Sequence, residues 1–242
     1  MLDLIIKNGK CYIDGELKDV DVAIKNGKIH QIGQILEEAK ETLNAEGQTV
    51  LPGCIDTQTH FREPGSTDTE DLHSGSRAAI AGGITSVFEM PNTNPPTSTK
   101  VEFQKKLDLA KNRMYCNYAF YFGATADNAN ELADLENLDG CCGIKLFAGS
   151  STGNLLVAEE KDIEKVFQSS SKVVAVHSED EAILNTNKKL IKKGNVHSHP
   201  VWRSVECAIS STRRIVRIAE RYKKKAHILH ITTKEEVDFL SQ

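Results

Sequence analysis

The spacing of apolar positions changes once along this chain. Over residues 2–49 they fall in short runs at 2–7, 10–12, 19–25, 28–32 and 49–51, which predicts strands. Asn8-Gly9, Asp14-Gly15 and Asn26-Gly27 lie between these runs. They are strong hairpin signals, because Asn, Asp and Gly accept the positive φ that tight two-residue turns require. From residue 50 onward, short apolar strands alternate with amphipathic helices, the signature of βα units on a parallel sheet. The pattern predicts strands near 51–56, 84–89, 115–122, 142–147, 173–177 and 226–231. Helices are predicted near 72–82, 98–112, 128–136, 159–169, 179–193 and 203–222, with a last one starting at Lys234.

The expected fold class is therefore α/β, with an N-terminal β portion over 1–49 and about six βα units of a barrel over 50–242. A closed eight-stranded barrel needs about 250 residues by itself. Only about 190 follow the β portion, so the barrel is expected to be incomplete. The chain then reads as a fragment of a longer protein, or as one that a partner completes, since open sheet edges are a liability. No internal repeat or low-complexity segment offers another explanation.

Composition narrows the function classes. The 242 residues are 39% hydrophobic and 26% charged, an ordinary globular balance. A net charge of −4 and a pI near 6.1 argue against nucleic acid as the main partner. The dense basic runs, Lys188-Lys189 and Lys223-Lys224-Lys225, read as solvated helix ends. No run approaches ~18 consecutive apolar residues, so no membrane span is expected, and the N-terminus carries no signal-peptide pattern. Six scattered cysteines without a Cys-x-x-Cys pair read as reduced thiols of a cytoplasmic protein.

The chemistry-bearing residues cluster where barrels place their sites, at the C-terminal ends of strands. His60 closes the first barrel strand, Lys145 lies on the fourth, His177 ends the fifth and His230 the sixth. A single histidine near a strand end is usually a satisfied polar residue. Three of them, framed as in Val173-Val174-Ala175-Val176-His177 and Ala226-His227-Ile228-Leu229-His230, converge on one barrel mouth and read as metal ligands. His227 is placed on the opposite side of its strand and reads as structural. His30, His73, His197 and His199 also read as structural, although His197 and His199 are alternatively placed to touch a loop over the site.

Lys145, in Gly143-Ile144-Lys145-Leu146-Phe147, carries a charge that an apolar strand accommodates only at high cost. Either a buried carboxylate pairs with it, or the amine is neutral and open to reaction with carbon dioxide, which gives a carbamate that can bridge two cations. Arg62 offers a planar fork for a carboxylate, or a rim salt bridge with Glu63 or Asp68. Asn92 offers an amide after the second strand. Gly149-Ser150-Ser151-Thr152-Gly153 lacks the Lys-Ser/Thr ending of a phosphate loop and is not read as one.

Gly53-Cys54-Ile55-Asp56-Thr57-Gln58-Thr59-His60 resembles the first metal-binding motif of the amidohydrolase superfamily. Phe61-Arg62-Glu63-Pro64-Gly65 and Met90-Pro91-Asn92-Thr93-Asn94-Pro95-Pro96 together resemble the longer-chain dihydroorotases, within the cyclic amidohydrolases. Ala78-Ala79-Ile80-Ala81-Gly82-Gly83-Ile84-Thr85, His177-Ser178-Glu179-Asp180 and His230-Ile231-Thr232-Thr233 are similar to the same family, so the likeness runs over residues 2–242. It implies a (β/α)8 TIM-type barrel and an N-terminal β-sandwich portion that strands returning from the C-terminus complete. It implies one or two zinc ions per subunit on His60, a carboxylated Lys145, His177 and His230, with Arg62 and Asn92 holding the substrate's carboxylate. The implied activity is the reversible hydrolysis of (S)-dihydroorotate to N-carbamoyl-L-aspartate in pyrimidine synthesis, and a homodimer is an assembly it admits.

Two departures bear on that expectation. Gln58 stands where most of the superfamily has histidine, and an amide oxygen is a weaker zinc ligand than imidazole. The family's general base is an aspartate ending the eighth strand, and no residue up to Gln242 supplies it, so the catalytic base is unassigned. If these residues are the entire product, poor activity or none is expected. The alternatives are another cyclic-amide hydrolase such as an allantoinase, a non-catalytic scaffold for a partner enzyme, or a truncated remnant.

Overall fold

Seven short strands form the N-terminal part of the computed structural model, which describes residues 1–242. They are β1 (Leu2–Lys7), β2 (Lys10–Ile13), β3 (Glu16–Asp19), β4 (Asp21–Lys25), β5 (Lys28–Gly33), β6 (Ala39–Asn44) and β7 (Thr49–Val50). Two sheets result, ordered β5-β4-β1-β6 and β3-β2-β7. Asp14-Gly15 and Asn26-Gly27 have positive φ at both positions and close the antiparallel pairs β2–β3 and β4–β5, as a primed turn requires. A small core of Leu2, Ile5, Ala23 and Ile35 lies within this unit, which ends at Cys54 by its internal contacts.

Three expectations are corrected here. Asn8-Gly9 is no hairpin turn: it carries the chain from one sheet to the other, and only Asn8 has positive φ. Gly9 is needed for space, since a Cβ there would lie 2.6 Å from a Val50 methyl. The run 19–25 is broken at Val20: Asp19 closes β3, whose residues 16–18 were not expected as strand, and 21–25 form β4 in the other sheet. β6 was not expected at all, because Ala-Lys-Glu-Thr-Leu-Asn is almost wholly exposed and shows no apolar alternation. Its parallel pairing with β1 forms it instead.

The second unit, Ile55–Gln242, alternates strands and helices. Its elements are β8 (Cys54–Thr59), α1 (Leu72–Ala81), β9 (Ile84–Glu89), α2 (Lys100–Ala110), β10 (Asn117–Gly123), α3 (Leu132–Leu135), β11 (Cys141–Phe147) and α4 (Glu160–Ser169). They continue with β12 (Val174–His177), α5 (Glu181–Asn187), α6 (His199–Trp202), α7 (Val205–Tyr222), β13 (Ala226–Ile228) and α8 (Lys234–Leu240). The six strands stand side by side in chain order, with parallel pairing from β9 through β13. A doubly wound sheet would reverse its order partway. This uninterrupted order is an arc of a (β/α)8 barrel, and it sets all the strand C-termini along one rim.

Both faces of the central strands are buried. Phe120, Phe122, Ile144, Leu146, Val174 and Val176 belong to the large core shared with the helices, whereas Tyr121 and Ala175 pack with Met90 and Leu229 on the other face. By strand alternation Lys145 shares the second face, between the outward Ile144 and Leu146. Helix starts are set locally. Asp71, Thr99, Asp180, Ser204 and Thr233 each cap a following helix through their side chains. The expected helix 128–136 is a 3₁₀ turn followed by the single turn α3, and 179–193 shortens to α5 with a 3₁₀ turn. The last strand stops at Ile228, short of the expected 231, and His230 takes a left-handed backbone (φ 39°). No helix is long and apolar enough to cross a membrane.

Candidate metal and substrate site

The rim formed by the strand ends gathers the polar residues. His177 is the last residue of β12, and His230 follows β13 by two residues. The amide of Leu229 donates to the Val176 carbonyl at 3.0 Å and keeps that segment beside β12. The two imidazoles meet, His177 Nδ1 lying 3.1 Å from His230 Nε2. On its other side, His177 Nε2 lies 2.7 Å from a Glu179 carboxylate oxygen, and Glu179 is in turn ion-paired with Arg203.

Lys145 is 1% exposed and its Nζ has no hydrogen-bond partner. The alternative of a buried carboxylate beside it is not realised. Its Nζ lies over the Phe147 ring, 4.3 Å from the centroid. Burial pushes its pKa well below the usual lysine range, which weakens the amine's hold on its proton.

His60 directly follows β8 and is half-buried. Burial first, then the Arg62 and Lys145 charges, depress its pKa to about 4, against the opposing influence of Asn92. His230 is also lowered, by burial and by His177 and Lys145. No cluster of three or more His, Cys, Asp or Glu groups stands at metal-holding distances. What is assembled is the His177–His230 pair, with Lys145 in electrostatic reach of both His60 and His230. Imidazole nitrogens beside a partnerless buried amine suit a borderline cation such as zinc, which takes nitrogen and oxygen donors. Gln58 lies on β8, half-buried, two residues before His60.

The depressed pKa of His60 has a measurable consequence. A histidine whose folded pKa lies below its unfolded value contributes stability above pH 6.5 that is lost as pH falls toward 4. The metal-free protein is expected to lose about 2 kcal/mol over that window, a figure reduced for the ring's partial exposure. Urea unfolding at pH 7 and pH 4.5 measures it, and His60→Gln should flatten the difference.

Arg62 has a left-handed backbone (φ 51°) and makes no ion pair. The expected alternative, a salt bridge with Glu63 or Asp68, is absent because Glu63 is engaged elsewhere. It is 7% exposed, accepts from the Leu72 amide at 2.9 Å and receives both guanidinium nitrogens of Arg113 at 2.8 and 3.1 Å. Glu63 thus fastens the loop after β8 to α1 and to the end of α2, which leaves the Arg62 guanidinium uncommitted. Asn92 is buried; its Nδ2 donates to Thr152 Oγ1 at 2.7 Å and to the Thr152 carbonyl at 3.3 Å. Its Oδ1 is buried without a partner.

A cleft of about 520 Å³ opens over this rim, lined by Ser151, His177, Glu179, His199, Arg203 and His230 among others. His199 therefore lines the cleft, whereas His197 does not. A hollow of about 590 Å³ on α2 is lined by none of the candidate residues. Sequence reasoning did not assign roles to Glu179, Arg203 or Thr152. Glu179 carried a signal, a carboxylate two residues past a strand-end histidine. Arg203 and Thr152 carried none, because their partners are 24 and 60 residues away in the chain.

Residues 49–240 match the amidohydrolase family. The chain is 33% identical over 246 residues to a dihydroorotase of Methanosarcina acetivorans, a match that covers 99% of this chain and 52% of that protein. It is equally 33% identical over 248 residues to an allantoinase of Escherichia coli, covering 98% of this chain and 54% of the relative. Among solved structures, the L-hydantoinase (dihydropyrimidinase) from Arthrobacter aurescens superposes with a TM-score of 0.91 at 25% identity, over 99% of this chain and 55% of that one. The chain spans about half the length of the curated relatives it matches.

Proposed function

Because the chain belongs to the amidohydrolase family, we propose that it contributes the metal and substrate site of a cyclic-amide hydrolase acting on dihydroorotate. In the forward reaction one water adds across the ring amide: the C–N bond breaks, the carbon keeps the oxygen as a carboxylate, and the nitrogen takes a proton to give carbamoyl aspartate. The observation that carries this reading is the Lys145 amine, 1% exposed and partnerless on the same rim as three histidines. A lysine buried as a charge is ordinarily paired with a carboxylate. A neutral amine instead adds carbon dioxide and releases a proton, giving a carbamate whose two oxygens are ligands.

His60, His177, His230 and the carboxylated Lys145 would hold one or two zinc ions, which when bound polarise a carbonyl and acidify water. The chain's own residues do the rest. Arg62, freed from Glu63 by Arg113, offers its fork to the substrate carboxylate. Asn92 keeps its amide nitrogen on Thr152, and its buried Oδ1, an acceptor, suits an N–H of the substrate ring and not the carboxylate. The His177–Glu179 contact orients one imidazole.

The test is turnover by the purified chain supplied with zinc and bicarbonate, with dihydroorotate and allantoin compared. Dihydroorotate turnover lost on chelation supports the proposal, and preference for allantoin would replace its substrate. Allantoin deserves that place because the allantoinases match as well as the dihydroorotases, although it carries no carboxylate for Arg62. Arg62→Met is accordingly expected to raise KM for dihydroorotate at least ~10-fold, with a smaller change in kcat, since a lost charge-assisted contact is worth about 1.5–3 kcal/mol. A fall in kcat alone would contradict the assignment.

A further inference from the structure

We propose that Arg203 is a positioning residue that couples the metal side of the site to the substrate side; this rests on the reading of His177 as a metal ligand. Arg203 precedes the cap of α7 and stacks on Trp202, its guanidinium carbon 4.4 Å from the ring centroid. Trp202 is itself pinned by its indole N–H, which donates to the Leu184 carbonyl at 3.2 Å. From this fixed platform the guanidinium reaches two acceptors on different segments. One nitrogen pairs with Glu179, and the other donates to the Ser150 carbonyl at 2.9 Å.

Each acceptor leads to one half of the site. Glu179 faces His177 Nε2 at 2.7 Å. A carboxylate there keeps the proton on Nε2 and leaves the Nδ1 lone pair on the side shared with His230. Ser150 lies in the loop that follows β11, and its amide and hydroxyl both donate to Glu181, at 2.7 and 2.8 Å. Two residues on, Thr152 accepts both hydrogen bonds from Asn92. The loop passes directly over Glu179. A Cβ on Gly149 would lie 2.6 Å from the Glu179 carbonyl oxygen and 2.8 Å from its Cβ. His177, Glu179, Arg203, Ser150, Thr152 and Asn92 thus form one continuous path between a metal-ligand candidate and a substrate-binding candidate.

A planar guanidinium serves both acceptors at once, and a lysine ammonium at this position cannot span them in the same way. Arg203→Met should therefore disturb both halves, and Arg203→Lys should spare the Glu179 half. The experiment measures zinc affinity by competition with a chromophoric chelator, and amide hydrogen exchange at residues 149–153, in the intact chain and both variants. In Arg203→Met, zinc affinity is expected to fall 10–100-fold, with faster exchange over 149–153. In Arg203→Lys, most of the zinc affinity should return while the exchange stays fast. Unchanged zinc affinity and unchanged exchange in a folded Arg203→Met protein overturn the inference, as does recovery of both properties by lysine. If the unaltered chain binds no zinc, the proposed function fails instead. Exchange over 149–153 in the zinc-free variants then decides this inference alone.

Discussion

His177→Ala is expected to remove zinc binding and turnover together while leaving the chain folded. The ring contributes the Nδ1 that meets His230 at 3.1 Å. Loss of an outer hydrogen-bond partner already costs a metal site about 10–100-fold, so loss of the ligand should exceed ~100-fold in affinity. The Glu179–Arg203 ion pair remains and keeps the vacated position from leaving a buried unpaired carboxylate. The measurements are chelator competition and dihydroorotate turnover, with circular dichroism to confirm the fold. Zinc affinity equal to that of the unaltered chain would remove His177 from the ligand set and with it the proposed role of the rim.

Lys106→Met carries the largest expected cost in stability. Lys106 and Glu89 form an ion pair between α2 and β9 at 0% and 1% side-chain exposure, and Lys106 also donates to the Met90 carbonyl at 3.0 Å. Burial raises the Glu89 carboxyl to about 7, with Lys106 holding it down. Burial likewise lowers Lys106, and Glu89 opposes that shift. Removing one partner strands the other, which costs about 3–5 kcal/mol, whereas apolar replacement of both is often nearly neutral.

Urea unfolding at pH 7 should therefore show the full cost in Lys106→Met and most of it recovered in the double variant Glu89→Leu, Lys106→Met. The pH dependence follows from Glu89, whose folded pKa rises further once Lys106 is gone. A carboxyl with a raised folded pKa contributes stability that is intact below the unfolded value of 4.5 and lost as pH rises through the folded one. The penalty should then shrink on acidification toward pH 5. A cost under about 1 kcal/mol at pH 7 would show that the pair is not the closed contact described.

The pair also explains why the loop after β9 holds its shape. The Met90 carbonyl that Lys106 binds immediately precedes Pro91-Asn92. The substrate-side asparagine is thus anchored from below by a buried charge and from the side by Thr152. Neither anchor had a local signature. Lysine in an amphipathic helix ordinarily reads as surface, and Thr152 lies in a run of small polar residues without periodicity.

Local chemistry by itself determined a good deal of this protein. The change of apolar period near residue 50 separated strands and turns from βα units. Asp14-Gly15 and Asn26-Gly27 specified their hairpins through positive φ, and the capping residues Asp71, Thr99, Asp180, Ser204 and Thr233 set helix starts within a residue or two of the expected positions. Histidines closing apolar runs, and one lysine inside such a run, marked the rim. These features are legible because turn conformation, capping and strand alternation depend on neighbours in the chain.

Only the tertiary structure decided the pairings between distant segments. It gave β6 a strand partner that its polar sequence does not announce, and it split the run at Val20 between two sheets. It sent Glu63 to Arg113, so that Arg62 stands uncommitted, and left Lys145 without a carboxylate. It also turned Arg203 between Glu179 and Ser150, residues 24 and 53 positions away. The physical reason is common to all of these. A charge or an exposed backbone edge is satisfied by whatever the fold brings within hydrogen-bond reach, and that choice depends on packing distances that no window of sequence contains.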